Sequence, residues 1–94
     1  KHFWMKTMTV SPGRRFSLQK HKHRVETWVC IEGNLLATIN GKNITMKPGS
    51  IITVPRGATH RLFSKKGGTV IEVAHGSDVR ESDITRLADD FGRS

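Results

Sequence analysis

The sequence predicts an all-β domain, a jelly-roll barrel of two sheets, that ends in one short helix. Two observations support this fold class. Short runs rich in β-branched and aromatic residues recur along residues 3–75, and turn residues such as Gly, Pro and Asn separate them. Near the C-terminus the spacing of apolar residues changes from the period of a strand to the period of a helix.

Eight strands are predicted in chain order. Their bounds are Phe3–Val10, Arg15–His21, Glu26–Glu32, Leu35–Ile39, Lys42–Met46, Ile51–Val54, Thr59–Ser64 and Thr69–His75. The dipeptide Asn40-Gly41 lies between two of these strands, and it is favoured in a type I′ hairpin because both central residues need positive φ. Pro55 ends a brief apolar strand because proline has no backbone N–H for a sheet.

The predicted helix covers Asp83–Phe91. Its apolar stripe, at i, i+3, i+4 and i+7, consists of Ile84, Leu87, Ala88 and Phe91. Ser82 is a suitable N-cap and Gly92 a suitable C-terminal stop. A helix of this length is not stable alone, so we expect it to pack on the barrel or on a second subunit.

Length and composition indicate a single small domain. The chain has 94 residues, which we assign to one domain over 1–94. Cys30 is the one cysteine, which excludes an intrachain disulfide and favours a reducing, cytoplasmic location. We find no apolar run long enough to span a membrane and no signal-peptide pattern, so no membrane partner is expected.

The chain is strongly basic, with a formal net charge of +8. Such a charge favours anionic partners, either a sugar phosphate or a nucleic acid. Aromatic residues interleaved with the basic ones would support nucleic-acid binding, but only Phe16 and Phe63 lie near them, both in apolar strands. We therefore expect no specific nucleic-acid partner.

Two blocks of residues have a regular spacing that is informative about function. The first block contains Gly13, Gln19, His21, Glu26 and Gly33, and the second contains Gly49, Pro55, Gly57 and His60. This spacing resembles the two-part signature of the cupin superfamily, which implies a double-stranded β-helix. Gln19 replaces the first His of that signature, and Ser64 replaces its closing Asn.

The matched positions form a candidate metal site. Alternate side chains share one face of a strand, so Gln19 and His21 point the same way, and the resemblance implies that Glu26 and His60 join them around a divalent cation. We expect zinc, although Mn, Co, Ni and Fe also fit this donor set. His23 is an alternative ligand, but the spacing from Gly13 favours Gln19 and His21.

Three further segments narrow the resemblance to type II phosphomannose isomerases. Gln19-x-His21-x-His23-Arg24-x-Glu26-x-Trp28 resembles their first motif, Pro55-x-Gly57-x-x-His60-Arg61-Leu62 resembles their second, and the tail from Ile71-Glu72-Val73 to Arg93 resembles their C-terminus. Phe91 replaces a usual Tyr, Ala74 replaces a usual Gln, and the upstream RPWG strand of the family has no counterpart here. In that family the isomerase unit is a cupin domain, often the C-terminal part of a longer guanylyltransferase.

The resemblance implies metal-dependent interconversion of mannose 6-phosphate and fructose 6-phosphate. We assign Glu72 and Arg61 to the catalytic set, although Glu72 could equally be a solvent-facing strand carboxylate. For the substrate phosphate we assign the basic residues Lys20, Arg86 and Arg93.

Two other functions are compatible with the residues. One is a cupin dioxygenase, against which Gln19 and the tail argue, and the other is a non-catalytic sugar-binding module in which Trp28 stacks on a sugar. We also expect a homodimer, because a small sheet protein must protect its edge strands, among them Phe3–Val10.

Overall fold

In a computed structural model, the described part of the chain forms a barrel of ten antiparallel strands. The structure describes residues 3–16, 18–76 and 83–88. The strands are β1 Phe3–Val10, β2 Arg14–Arg15, β3 Leu18–Lys20, β4 Arg24–Gly33, β5 Leu35–Ile39, β6 Lys42–Met46, β7 Ile51–Val54, β8 His60–Ser64, β9 Gly68–Gly76 and β10 Thr85–Ala88.

The strands form two sheets. One sheet has the order β1-β9-β4-β7, and the other has the order β10-β3-β8-β5-β6, with β2 also paired to β8. Seven of the predicted strands agree with observed ones to within a few residues at each end. The predicted strand Arg15–His21 is instead the two short strands β2 and β3, which both pair with β8.

Both sheets contribute side chains to one core. In β4 the even-numbered residues from Arg24 to Cys30 are buried, while the odd-numbered residues between them are less so, as expected of a strand with one inward face. Trp28 and Val70 from the first sheet and Leu35 and Leu62 from the second belong to one buried cluster. The sheets therefore pack face to face, as in other jelly rolls.

The Asn40-Gly41 turn has the predicted conformation. Asn40 has φ of 48° and Gly41 has φ of 80°, so both central residues of the β5–β6 hairpin lie in the left-handed region. The register of this hairpin is regular from Ile39↔Lys42 to Leu35↔Met46. The turn therefore fixes the alignment of an entire strand pair.

The predicted C-terminal helix is wrong over the part that the structure describes. Thr85–Ala88 is strand β10, which pairs antiparallel with β3 and places Thr85 opposite Lys20 and Arg86 opposite Gln19. Without β10, β3 would be an unpaired edge of its sheet, and its open backbone groups favour strand pairing over an isolated short helix. The rest of the predicted helix, including Phe91, lies outside the described residues. Over the described ranges, no helix is long and apolar enough to cross a bilayer.

Candidate metal centre

Three predicted ligands from different parts of the chain meet inside the barrel. His21 follows β3, Glu26 lies in β4 and His60 begins β8, and all three side chains are buried. One donor atom from each lies within 4.8 Å of the others. Two imidazoles and a carboxylate at such separations match the donor set of a divalent transition metal.

An unpartnered nitrogen atom supports this interpretation. His60 Nε2 is a buried side-chain atom that has no hydrogen-bond partner among the residues that the structure describes. Its ring lies 4.9 Å from the ring of His21 and 5.3 Å, edge to face, from the ring of Trp28. Buried polar atoms are nearly always satisfied, so an orphaned imidazole nitrogen beside a second His and a carboxylate is suited to binding a cation.

The tautomer of His21 is assigned by its contacts at both ring nitrogens. Nδ1 contacts the main-chain carbonyl oxygen of Asp83, which can only accept a hydrogen bond, so Nδ1 carries the proton. Nε2 lies 3.1 Å from an Nη2 donor of Arg24 and therefore accepts. The lone pair of Nε2 is consequently available to bind a metal ion.

Asp83 holds its carbonyl in place through its own side chain. Its two carboxylate oxygens accept hydrogen bonds from the backbone N–H groups of Lys22, at 2.9 Å, and His23, at 2.8 Å. These two bonds lower the pKa of Asp83, although burial alone would raise it. The Asp83 carboxylate thus binds the backbone of the two residues that follow His21. The main-chain carbonyl of Asp83 orients the His21 ring.

Glu26 is 1% exposed and fully engaged in hydrogen bonds. Its Oε1 accepts from Trp28 Nε1 at 3.0 Å, and its Oε2 accepts from Arg24 Nε at 2.9 Å. Burial raises the pKa of Glu26, but the hydrogen bonds to its carboxylate outweigh burial, so the pKa lies well below its usual value. Glu26 is therefore an anionic candidate ligand at neutral pH.

Gln19 lies beside these three ligands. Its Cα is directly opposite His60 in the β3–β8 register, and it lines the same cavity of about 200 Å³. The structure therefore brings all four predicted ligands to one place. His23 is exposed, and its backbone rather than its ring takes part in the site through Asp83.

Glu72 points into this cavity rather than to solvent. The side chain accepts a 2.7 Å hydrogen bond from Trp4 Nε1, lies 3.9 Å from Lys6 Nζ and shares a hydrogen bond with Glu26. Burial and the neighbouring Glu26 charge raise the pKa of Glu72 to about 7. Next to a strongly acidic carboxylate there is thus a second buried carboxyl group whose pKa is raised.

The structure places only some of the predicted basic residues at the cavity. Arg61 lines the cavity, and its Nε donates to the Phe16 carbonyl at 3.0 Å. The described lining of the cavity does not include Lys20. The side chain of Arg86 and all of Arg93 lie outside what the structure describes, so their assignment to a phosphate stays a prediction.

Sequence reasoning missed three contributors. Arg24 is buried against Glu26, Lys6 lines the cavity beside Glu72, and Asp83 orients His21. The signal for Arg24 was its parity, since it shares an inward face of β4 with Glu26 and Trp28. Nothing local predicted the role of Asp83, because its contacts span about sixty residues of sequence.

Comparison with known proteins places these features in a family. The profile of the family described as mannose-6-phosphate isomerase C-terminal matches residues 1–89. The chain belongs to this family. Mannose-1-phosphate guanylyltransferase ManC of Salmonella typhimurium is 39% identical over 95 residues, which cover 99% of this chain and 20% of that protein. This family domain therefore spans about a fifth of the length of the curated relatives that it matches.

Solved structures confirm the predicted cupin fold of this mannose-6-phosphate isomerase family domain. An uncharacterized conserved protein with a double-stranded β-helix domain from Klebsiella pneumoniae superposes with a TM-score of 0.80 at 18% identity, covering 94% of this chain and 76% of that one. The Cnp3 cupin domain of Schizosaccharomyces pombe gives a TM-score of 0.75 at 18% identity, with coverage of 81% and 57%.

Proposed function

We propose that this domain is a metal-dependent aldose–ketose isomerase that interconverts mannose 6-phosphate and fructose 6-phosphate. The observation that carries the proposal is the position of Glu72, a buried carboxyl with a pKa of about 7, in hydrogen-bond contact with the ligand Glu26. A general base works best when its pKa lies near the working pH. Family membership and the converging ligands support the same reaction.

His21, Glu26 and His60, with Gln19 beside them, are the residues that would hold the cation. A divalent ion, when bound, supplies Lewis-acid polarisation of the substrate oxygens. Zinc is the ion that we favour, although Mn, Co, Ni and Fe also fit this donor set. The protein contributes a cavity of about 200 Å³ and a fixed ring orientation at His21.

Glu72 is the group that we assign to proton transfer. In the open-chain sugar, the proton on C2 passes to the Glu72 carboxylate and a proton returns from Glu72 to C1, while the hydroxyl proton moves from O2 to O1. The hydrogen bond from Trp4 Nε1 fixes the carboxyl group, and Lys6 stabilises its anionic form. The negative charge of Glu26 has the opposite effect. It raises the proton affinity of Glu72, so that Glu72 can accept a proton from carbon.

The positive side chains at the cavity favour an anionic substrate. Lys6, Arg24 and Arg61 line it together with two carboxyl groups, and the cation would add two more positive charges. A single charge-assisted contact to phosphate is worth roughly 1.5–3 kcal/mol. Mannose 6-phosphate is therefore expected to bind at least about tenfold more tightly than mannose.

The proposal is tested by following fructose 6-phosphate formation from mannose 6-phosphate with protein that is stripped of metal and reloaded with Zn, Mn or Co. Glu72→Gln should abolish turnover without abolishing metal binding, because it removes the proton acceptor and keeps the shape. Glu32→Gln, on an exposed part of β4, is the matched control and should retain activity. Tight binding of mannose 6-phosphate with no turnover in any metal form would instead make this a non-catalytic sugar-phosphate module.

A further inference from the structure

Arg24 contacts two of the side chains that would hold a metal ion. Its Nε donates to Glu26 Oε2 at 2.9 Å, and its Nη2 donates to His21 Nε2 at 3.1 Å. These acceptors belong to two of the three converging residues. We propose that Arg24 is an internal cation that occupies the ligand set in the metal-free protein and must release it before a metal ion can bind.

His21 is the residue that cannot bind Arg24 and a metal ion at the same time. Because Nδ1 donates to the Asp83 carbonyl, the ring has one remaining lone pair, on Nε2. That lone pair can accept from Arg24 or bind an ion, but it cannot do both. A carboxylate oxygen can accept more than one partner, so Glu26 alone would not force the exchange.

The charge balance explains why a cation belongs there without metal. Glu26 Oε2 lies 3.1 Å from His21 Nε2, and two acceptor atoms at this distance repel unless a positive group bridges them. A buried carboxylate without a partner is also strongly unfavourable. The guanidinium of Arg24, itself 5% exposed, satisfies both acceptors.

The guanidinium group of Arg24 lies over the aromatic ring of Trp4. The guanidinium carbon of Arg24 lies 4.4 Å from the Trp4 ring centroid, and the indole N–H of Trp4 is held by Glu72. Arg24 therefore lies between an aromatic face and the ligand atoms. When it leaves the ligands, its positive charge stays within the cavity that it lines, where a sugar oxygen or phosphate can use it.

The inference rests on the metal centre of the proposed function but not on isomerase activity, so its test measures binding. The affinity of the stripped protein for Zn²⁺ is measured by competition with a chromophoric chelator for wild type, Arg24→Met and Arg61→Met. Arg24→Met should bind Zn²⁺ at least roughly tenfold more tightly, because two charge-assisted hydrogen bonds no longer compete. Arg61→Met removes the same charge from the same cavity, from a side chain that donates to the Phe16 carbonyl, and it should change the affinity less than about threefold.

A second measurement, NMR of the wild-type protein, tests whether Arg24 releases the ligand residues even if Arg24→Met fails to fold. The Nε–H resonance of Arg24, identified by labelling arginine with ¹⁵N, should shift strongly when wild type is saturated with Zn²⁺. An unchanged Arg24 resonance in the saturated protein, or Zn²⁺ affinity that is equal or weaker in folded Arg24→Met, would overturn the exchange. Failure of wild type to bind any divalent ion would overturn the metal centre and this inference together.

Discussion

The Nδ1 atom of His21 hydrogen-bonds to the backbone carbonyl of Asp83, sixty-two residues further along the chain. Through this contact Asp83 becomes part of the candidate metal centre, because its carbonyl holds one of the candidate ligands. Partners that hold the second nitrogen of a ligating His typically fix its tautomer and strengthen the ligand. The tail motif of the family therefore has a physical role in the site as well as in β10.

Asp83→Ala should weaken metal binding by about 10- to 100-fold, because the carbonyl that orients His21 loses its two side-chain anchors. Zinc affinity measured by competition titration checks this. Ser50→Ala is a suitable control, since Ser50 Oγ likewise accepts from a backbone N–H, that of Lys47, far from the site. Both variants should lose some thermal stability. Equal zinc affinities in the two would show that Asp83 only supports the fold.

Glu72→Gln should change the pH dependence of stability in metal-free protein. Burial lowers the pKa of His60 from 6.5 to about 4, so the unfolded chain binds the extra proton and stability rises with pH across that window. Burial raises the pKa of Glu72 from 4.5 to about 7, so the folded state binds the extra proton and stability falls with pH across that window. The two contributions oppose each other between pH 4.5 and 6.5.

Removing the Glu72 contribution should therefore leave that of His60 visible. Urea unfolding with chelator present should show the free energy of unfolding of Glu72→Gln rising from about pH 4 to 6.5, by at most about 1.4 kcal/mol per pH unit. Wild type and Glu32→Gln should stay flatter over the same range. Parallel curves for all three proteins would contradict the raised pKa of Glu72.

The outer face of the four-stranded sheet is the surface on which we expect a homodimer to form. Met5 is 71% exposed and Ile51 is 67% exposed, at the two edge strands of this sheet. Between them, the outward positions opposite one another in the register include Val73, Ile71 and Val29, none of which carries a charge. Two copies of a chain with net charge +8 can meet on such a face without opposing like charges.

Met5→Lys and Ile51→Lys should each shift the protein toward monomer in analytical ultracentrifugation at micromolar concentration. Ile44→Lys, at an exposed position of β6 in the other sheet, provides the control and should leave the association state unchanged. If wild type sediments as a monomer at high micromolar concentration, the dimer prediction fails.

Much of the fold could be predicted because its signals are local. The Asn40-Gly41 turn and the alternation within β4 each depend on a few neighbouring residues, and the structure has both. The convergence of His21, Glu26 and His60 was also predictable, but through the family spacing rather than from propensity.

The features that the sequence did not predict are long-range or ambiguous in pattern. The stripe that includes Ile84 and Leu87 has helical spacing, yet pairing with β3 decides its conformation, and β3 lies more than sixty residues earlier. In β9 both faces carry apolar residues, so the pattern around Glu72 could not show which way that carboxyl group points. A buried arginine such as Arg24 is rare, and its inward position depends on a partner that only the assembled site provides.

The most direct test of the proposed isomerase follows hydrogen exchange at carbon. Zinc-loaded protein is incubated with mannose 6-phosphate in deuterated water, and the sugars are followed by NMR. We predict that fructose 6-phosphate forms and that deuterium enters at C1 of the product and at C2 of recovered mannose 6-phosphate, with neither in Glu72→Gln. A protein that binds zinc and mannose 6-phosphate, yet yields neither fructose 6-phosphate nor deuterium at carbon, would contradict the proposed function.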